Sequence, residues 1–286
     1  IVLNATGSGG LTVTGTGTTD GTGGTIQNVT TRGAEFISAQ NITLKNMNFT
    51  NTPTLDFPAG PTGLSLGNNT ADNATIHLQT VTTTVIDNLN ITGSAEQGIN
   101  GHNVTGFSLS NSALLNVGGG PDEDGIHFYN MLGTCAITST TITSSGDDNV
   151  NIQNASGTSN ITVTGGSFNT GVLGSGLLFG PRVSSNTTIN ISGVTCNNNF
   201  SGGIVADASD VAAMEINVST SIITNNNDAI AISGASGNVK FDVHDNANIS
   251  LQDFVNISIL KAAFSTGGVL EGRIRNNTIT TENGHT

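Results

Sequence analysis

Acidic residues recur at one position of a repeating pattern in this 286-residue chain. They come just before short apolar steps that lie about 26 residues apart, so they would stack if the chain coils regularly. The carboxylates at this position are Glu96 (followed by Gln97), Glu123 and Asp124, and Asp147 and Asp148. Stacked carboxylates can supply the acid and the base of a hydrolytic reaction, or oxygen ligands for Ca²⁺.

Polar side chains that could hold a ligand follow each acidic position. The candidate ligand-binding residues are His102, His127, Tyr129, Asn151 and Gln153. A histidine beside stacked acids is typical of hydrolytic sites, because its charge changes near neutral pH. No cofactor is expected, except that Ca²⁺ stays an alternative if the acids can gather six to eight oxygens at about 2.3 to 2.6 Å.

The elements that must position these residues repeat along the whole chain. A short apolar step, usually after Gly or Asp, occurs about every 26 residues. The steps are Phe36-Ile37, Gly63-Leu64, Gly98-Ile99, Gly125-Ile126, Asn149-Val150, Gly176-Leu177, Gly203-Ile204, Ala229-Ile230 and Phe254-Val255. Alternating apolar residues follow, as in Ile161, Val163 and Phe168. This period of two predicts strands, and the intervening Gly, Asn, Asp and Ser predict turns.

Each unit of two or three short strands is too small to bury its apolar face alone, so stacking of units is required. The sequence therefore predicts an all-β, right-handed parallel β-helix of about ten turns with three sheets. We expect residues 1–286 to form a single domain. The longest interval between apolar steps contains Asn68 to Asn73, where we expect a longer loop.

Composition excludes several classes of function. Seven Lys and Arg against 20 Asp and Glu give a net charge of −13, which opposes nucleic-acid binding. No apolar run is long enough for a membrane-spanning helix. Abundant Thr, Asn, Ser and Gly with few Lys favour an extracellular or cell-surface location. Cys135 and Cys196 should be free thiols, because they fall two turns apart, about 10 Å along the axis.

The ends of the sequence are repeat-like on both sides, from Ile1-Val2-Leu3 to Arg273-Ile274-Arg275. A solenoid needs caps to cover its terminal apolar faces. We therefore expect this chain to be a segment of a longer protein or a subunit of a filament that associates end to end.

Three motifs in consecutive turns resemble those of polygalacturonase-type glycoside hydrolases. They are Asp124-Gly125-Ile126, Gly146-Asp147-Asp148 and Gly174-Ser175-Gly176. The resemblance implies an inverting hydrolysis with Asp148 as general acid and Asp124 and Asp147 activating water. Two features depart from it: Ser175 replaces a histidine, and Gly203-Ile204-Val205 replaces an Arg-Ile-Lys motif whose cations hold the substrate carboxylate.

The repeat pattern itself, as in Gly125 to Asn130 and Ile161 to Phe168, resembles the right-handed parallel β-helix regions of large bacterial exported and cell-surface proteins that act as adhesins. That resemblance favours a non-enzymatic structural or adhesive rod that contacts glycans or copies of itself. A carbohydrate-active enzyme that uses Asp124, Asp147 and Asp148 is the alternative. The two differ in one geometric requirement, because catalysis needs the aspartates close together beside an open groove.

Overall fold

The computed structural model describes residues 1–56, 73–250, 252–261 and 267–280. These residues form 27 strands and no helix. Strands one turn apart pair in parallel along the whole length, for example Ile126–Thr138 (β11) with the strands before and after it. The predicted parallel β-helix is confirmed, and the crossover rule still predicts right-handed coiling.

Three sheets of ten strands each run along the axis of the described part of the coil. The first contains β1 (Val2–Asn4), β4 (Ala34–Ile37), the first parts of β7 (Ala74–Asp87), β9 (Gln97–Ser110) and β11, and β13 (Val150–Asn154), β16 (Leu177–Pro181), β19 (Gly202–Ala208), β22 (Asp228–Gly234) and β25 (Val255–Lys261). The second contains β2 (Leu11–Val13), β5 (Gln40–Lys45), the second parts of β7, β9 and β11, and β14 (Thr158–Thr164), β17 (Asn186–Ser192), β20 (Ala213–Ser219), β23 (Asn238–His244) and β26 (Leu270–Arg275).

The third sheet contains β3 (Gly24–Gln27), β6 (Met47–Thr50), β8 (Asn90–Ser94), β10 (Ala113–Val117), β12 (Thr141–Ser145), β15 (Ser167–Asn169), β18 (Thr195–Asn197), β21 (Ile222–Thr224), β24 (Asn248–Ser250) and β27 (Ile279–Thr280). Strands β7, β9 and β11 run from the first sheet into the second without a break, which joins these two sheets.

A sharp corner separates the second sheet from the third in every turn from β5 onward. The first residue of this corner has a positive φ, as in Asn46 (56°), Asn88 (53°) and Asn111 (51°). Asparagine tolerates this left-handed conformation better than other non-glycine residues. The frequent Asn of the sequence is therefore explained in part by corner geometry.

Aligned apolar residues fill the interior. Positions from six consecutive turns pair in register and are fully buried: Ile99, Ile126, Val150, Leu177, Ile204 and Ile230. These are the apolar steps that the sequence repeat identified, so the predicted register is confirmed for the central turns. The acidic positions before them therefore lie in successive turns.

The predicted register is wrong near both ends. Ala34, rather than Ile37, aligns with Ile76, which in turn aligns with Ile99. At the other end Ile230 pairs with Ile257, so Val255 lies two residues too early. The apolar step Gly63-Leu64 and residues 68–72 of the predicted loop lie outside the described residues.

Two further predictions concern the two cysteines and membrane-spanning segments. Cys135 and Cys196 are buried free thiols, as expected. They lie in different sheets, in β11 and β18. The described residues contain no helical segment with the length and hydrophobicity needed to span a bilayer.

Candidate active site

Asp124 and Asp148 occupy equivalent places in consecutive turns, just before strands β11 and β13 of the first sheet. The backbone N–H of Gly125 donates to the carbonyl of Asp148 at 2.9 Å, and the N–H of Asp147 donates to the carbonyl of Glu123 at 2.9 Å. The acidic positions are therefore stacked along the axis, as the repeat predicted.

Three of the five carboxylates form one cluster. Oxygens of Asp124, Asp147 and Asp148 all lie within 4.8 Å of one another. Asp124 and Asp148 are buried, with 2% and 6% of their surface exposed, whereas Asp147 is half-buried. This cluster, called here the aspartate triad, has one carboxylate that solvent can reach and two that it hardly reaches.

The other two carboxylates, Glu96 and Glu123, are not part of the triad. They form a separate group with Asp56. The carboxylate of Glu123 accepts hydrogen bonds from the backbone N–H groups of Gly119 and Gly120. The expectation of a single stack of five acids is therefore corrected, because the turn before β11 folds back on the Glu123 side chain.

Direct hydrogen bonds fix the triad. The N–H of Asp148 donates to Oδ1 of Asp124 at 2.9 Å, and Nδ1 of His127 lies 2.7 Å from Oδ2 of Asp124. The backbone N–H of Ser175 donates to Oδ1 of Asp148, and Nδ2 of Asn151 donates to its Oδ2 at 3.1 Å. Ser175, which replaces the histidine of the resembled motif, thus holds the carboxyl group of Asp148 through its backbone.

All three triad carboxyls hold their protons more tightly than an ordinary aspartate. Burial raises the pKa of Asp124 and of Asp148 well above the usual range, and the neighbouring carboxylates raise both further. Burial, with the nearby charge of Asp122, raises the pKa of Asp147 to about 6. The surroundings therefore favour the protonated form of all three carboxyls, and Asp147 is the one that solvent can reach.

As a cation site the triad is incomplete by itself. It offers three carboxylate residues close enough to share an ion. Ca²⁺ binds six to eight oxygens, so other groups would have to supply the rest. Because their surroundings raise the pKa of Asp124 and Asp148, protons would compete with a cation for these two carboxylates.

The predicted ligand-binding residues lie in two aligned columns on the outer face of the first sheet. His127 pairs with Asn151, and His102 pairs with Tyr129, which pairs with Gln153. The rings of His102 and Tyr129 stack with centroids 5.3 Å apart and an interplanar angle of 5°. Burial lowers the pKa of His102, so this stacked imidazole is neutral at pH 7.

Arg182 is a functional candidate that the sequence reasoning missed. It follows β16, and its Nε donates to Oε1 of Gln153 at 3.1 Å, while Nη1 donates to Oγ of Ser209 at 3.0 Å. Gln153 donates in turn to Oδ1 of Asn151 at 2.9 Å, and Asn151 donates to Asp148. A chain of hydrogen bonds thus connects a cation to the triad across the outer face.

Gly180 makes room for this chain of hydrogen bonds. Gly180 lies beside Gln153 in the sheet, and a Cβ on Gly180 would fall 2.1 Å from Oε1 of Gln153. The signal available in the sequence was therefore a glycine, Gly180, one repeat after the long polar residue Gln153. Arg182 follows that glycine by two residues.

Comparison with known proteins finds similarity in structure but not in sequence. No protein-family model and no curated protein sequence matches this chain. Among solved structures it is similar to the catalytic domain of a GH87 α-1,3-glucanase in complex with tetrasaccharides, with a TM-score of 0.42 and 10% identity. The match covers 87% of this chain and 50% of that chain, so this chain spans about half of its length. At this level the similarity concerns the coil of strands alone.

Proposed function

We propose that this protein is a glycoside hydrolase whose reaction is carried out by the aspartate triad. The observation that carries the proposal is the close approach of Asp124, Asp147 and Asp148, two of them buried and one at the surface. Burying carboxylates costs free energy even when hydrogen bonds offset part of it, and strongly shifted pKa values concentrate at catalytic sites. A purely structural rod has no need of such a cluster.

The proton affinities and the accessibility of the three carboxyls support a role for each. Burial and the neighbouring carboxylates favour the protonated form of Asp148, which suits it to act as the general acid that protonates the glycosidic oxygen. Asp147 is the ionised and more accessible carboxylate, and it acts on the anomeric carbon or on the water that attacks it. Asp124 accepts a hydrogen bond from the backbone N–H of Asp148 and contacts the ring of His127, so it positions these two residues.

The stereochemical course depends on spacing. The resemblance to polygalacturonase-type enzymes implies inversion, for which two carboxylates usually stand about 6.5 to 9.5 Å apart. The closest triad oxygens lie within 4.8 Å, which is nearer to the spacing of about 5 to 5.5 Å in retaining enzymes. Nuclear magnetic resonance of the first-formed anomer distinguishes attack by Asp147 itself from attack by water.

The proposal places the protein outside the cell, in keeping with its composition, where polysaccharides are found. The competing function is the non-enzymatic adhesive rod expected from the repeat pattern. Both functions involve glycans, but only the hydrolase needs the triad to be intact.

Release of reducing ends from a panel of plant, algal and bacterial polysaccharides tests the proposal. We expect activity on at least one polymer, and its loss in Asp147→Asn and in Asp148→Asn. Asp242→Asn, an aspartate on the second sheet, is the matched control and should keep full activity. Absence of activity across the panel, or activity that survives both triad substitutions, contradicts the proposal and favours the rod.

A further inference from the structure

A groove of about 380 Å³ runs along the corner between the third and first sheets. It is lined by residues from four successive turns, among them Val172, Asn198, Phe200, Asn225, Asn227 and Asp253. Four turns at the strand spacing of about 4.8 Å give a length of roughly 14 Å parallel to the axis. The shape suits an extended chain rather than a compact molecule.

The near end of the groove lies one turn from the aspartate triad, and none of the triad residues is among those that line it. Gly171 lies at its near end, and a Cβ on Gly171 would fall 2.9 Å from the backbone oxygen of Asp147. Gly174 is packed still closer, because a Cβ there would fall 2.5 Å from carboxylate oxygens of both Asp147 and Asp148. A polysaccharide chain that extends past the near end of the groove would therefore reach the turn that carries Asp147 and Asp148.

The walls of the groove are polar but almost uncharged. Asn198 and Asn225 are exposed amides, and Asn227 is half-buried. Among the described lining residues there is no Lys, Arg or His, and Asp253 is the single carboxylate. Since the chain as a whole carries a net charge of −13, an acidic polymer would be repelled here. Amides recognise hydroxyl groups as both donors and acceptors.

An exposed aromatic side chain completes the groove. Phe200 is 63% exposed, and its backbone N–H donates to the carbonyl of Gly171 at 3.0 Å. A large exposed aromatic ring beside convergent polar groups is typical of a ligand-binding surface. Its flat face can pack against the apolar C–H face of a sugar ring while the amides bind the hydroxyls.

Buried amides make the floor of the groove rigid. Asn199 donates to Oδ1 of Asn226 at 2.9 Å, and its own Oδ1 accepts from Asn149 at 3.0 Å and from the N–H of Gly171 at 2.8 Å. A network whose members are satisfied in this way holds one geometry. The groove is therefore preformed, and little conformational entropy is lost when a ligand binds.

We propose that this corner groove binds a neutral polysaccharide, with one sugar ring stacked on Phe200, and leads that chain to the aspartate triad. The inference rests on the proposed function, since the triad is the place where the bound polysaccharide would be cleaved. It adds the substrate class: an uncharged glycan, in contrast to the polyuronates cleaved by the enzymes whose motifs the triad resembles.

Affinity gel electrophoresis tests the proposal without catalysis. The probes are soluble neutral polymers (dextran, laminarin, soluble starch and galactomannan) and two acidic polymers (polygalacturonate and alginate). The protein carries Asp148→Asn so that no polymer is cut. We expect retardation by at least one neutral polymer and by neither acidic polymer. In the same background Phe200→Ala should weaken binding about tenfold.

Val211→Ala is the control, because Val211 is 75% exposed and lies between β19 and β20, away from the groove. Its binding should equal that of the parent. Unchanged binding in Phe200→Ala, equal retardation by acidic polymers, or retardation by none of the neutral polymers overturns the proposal. Binding that depends on Phe200 without any hydrolysis by the unmodified protein would support the groove and contradict the hydrolase, so the two failures are distinguishable.

Discussion

The aspartate triad and the aspartates near the C-terminal strands have the same side chain on the same coil, yet their surroundings differ. In the triad, burial raises the pKa of Asp124 and Asp148, and the neighbouring carboxylates raise it further. At Asp242 burial also acts to raise the pKa. The hydrogen bond from Arg275 and the charges of Arg273 and Arg275 outweigh it and keep that pKa below its usual range.

The difference follows from the neighbours that the stack supplies. Asp242 pairs in register with Arg273, whose Nη2 donates to it at 2.8 Å, and Arg275 reaches the same oxygen at 3.1 Å. The triad instead stacks acid upon acid. An aspartate paired with cations stabilises the fold as a charged group, whereas an aspartate stacked on others is suited to holding and transferring a proton.

The largest expected effect concerns catalysis. Asp148→Asn removes the proton donor and should lower kcat/KM by about 10² to 10⁴-fold, the usual contribution of a positioned acid. Asp147→Asn should cause a loss of similar size. Asp242→Asn should change kcat/KM by less than twofold. Initial rates on the best polymer of the panel measure all three, and equal losses in the triad and at Asp242 would remove the distinction between the two regions.

The pH dependence of activity provides the second test. Asp147 must be ionised to act, and its pKa is about 6. Activity should therefore rise with pH through about 6, well above the value near 4 of an ordinary aspartate. It should fall again at higher pH as Asp148 loses its proton. A profile of kcat/KM from pH 3.5 to 9.5 measures both limbs, and an acidic limb near pH 4 would show that Asp147 is not desolvated as described.

Stability should respond to pH with opposite sign in the two regions. Because the pKa of Asp124 is raised in the fold, its contribution is present at low pH and is lost as pH rises through the folded pKa. Asp124→Asn keeps an acceptor oxygen for the N–H of Asp148 and an amide that can donate to Nδ1 of a neutral His127, and it does not ionise. Its melting temperature should exceed that of the parent by about 2 °C or more at pH 8, and the difference should vanish at pH 4.

Asp242→Asn is the counterpart of that experiment. The pKa of Asp242 is lowered in the fold, so its contribution is present above the unfolded pKa and is lost as pH falls. This variant should melt below the parent at pH 8, and the difference should shrink as the pH falls below the ordinary aspartate pKa near 4. Melting curves followed by circular dichroism across pH 3 to 8 measure both variants, and shifts of the same sign in both would contradict the comparison.

The sequence predicted the fold well where each turn has neighbours of similar length. From Ile99 to Ile230 every apolar step aligns as its spacing indicated. The error at Val255 is a slip of two residues, which keeps the same face of a strand and so leaves the apolar alternation unchanged. At the first turns Phe36, not Ile37, points inward, and two adjacent apolar residues do not reveal which one is buried.

The site was predicted in part for a similar reason. Stacking alone brings Asp124 near Asp148, and the repeat supplied that information. The separation of Glu123 depends on how one turn folds onto Gly119 and Gly120, and the approach of Arg182 depends on the missing side chain at Gly180. Both depend on side-chain packing between turns, which a repeat period does not specify.

The smallest expected effect concerns the exposed ion pair between Arg273 and Asp242. The Arg273 side chain is 70% exposed, so water and salt screen its charge. Arg273→Gln should lower the free energy of unfolding by about 0.2 to 1 kcal/mol at low salt, and by less in 1 M NaCl. Urea unfolding at the two salt concentrations measures this. Because Arg275 still binds Asp242 in the variant, a larger loss, or one that salt does not reduce, would mean that Arg273 stabilises the end of the coil by packing. The C-terminal aspartates would then differ from the triad in more than their charged neighbours.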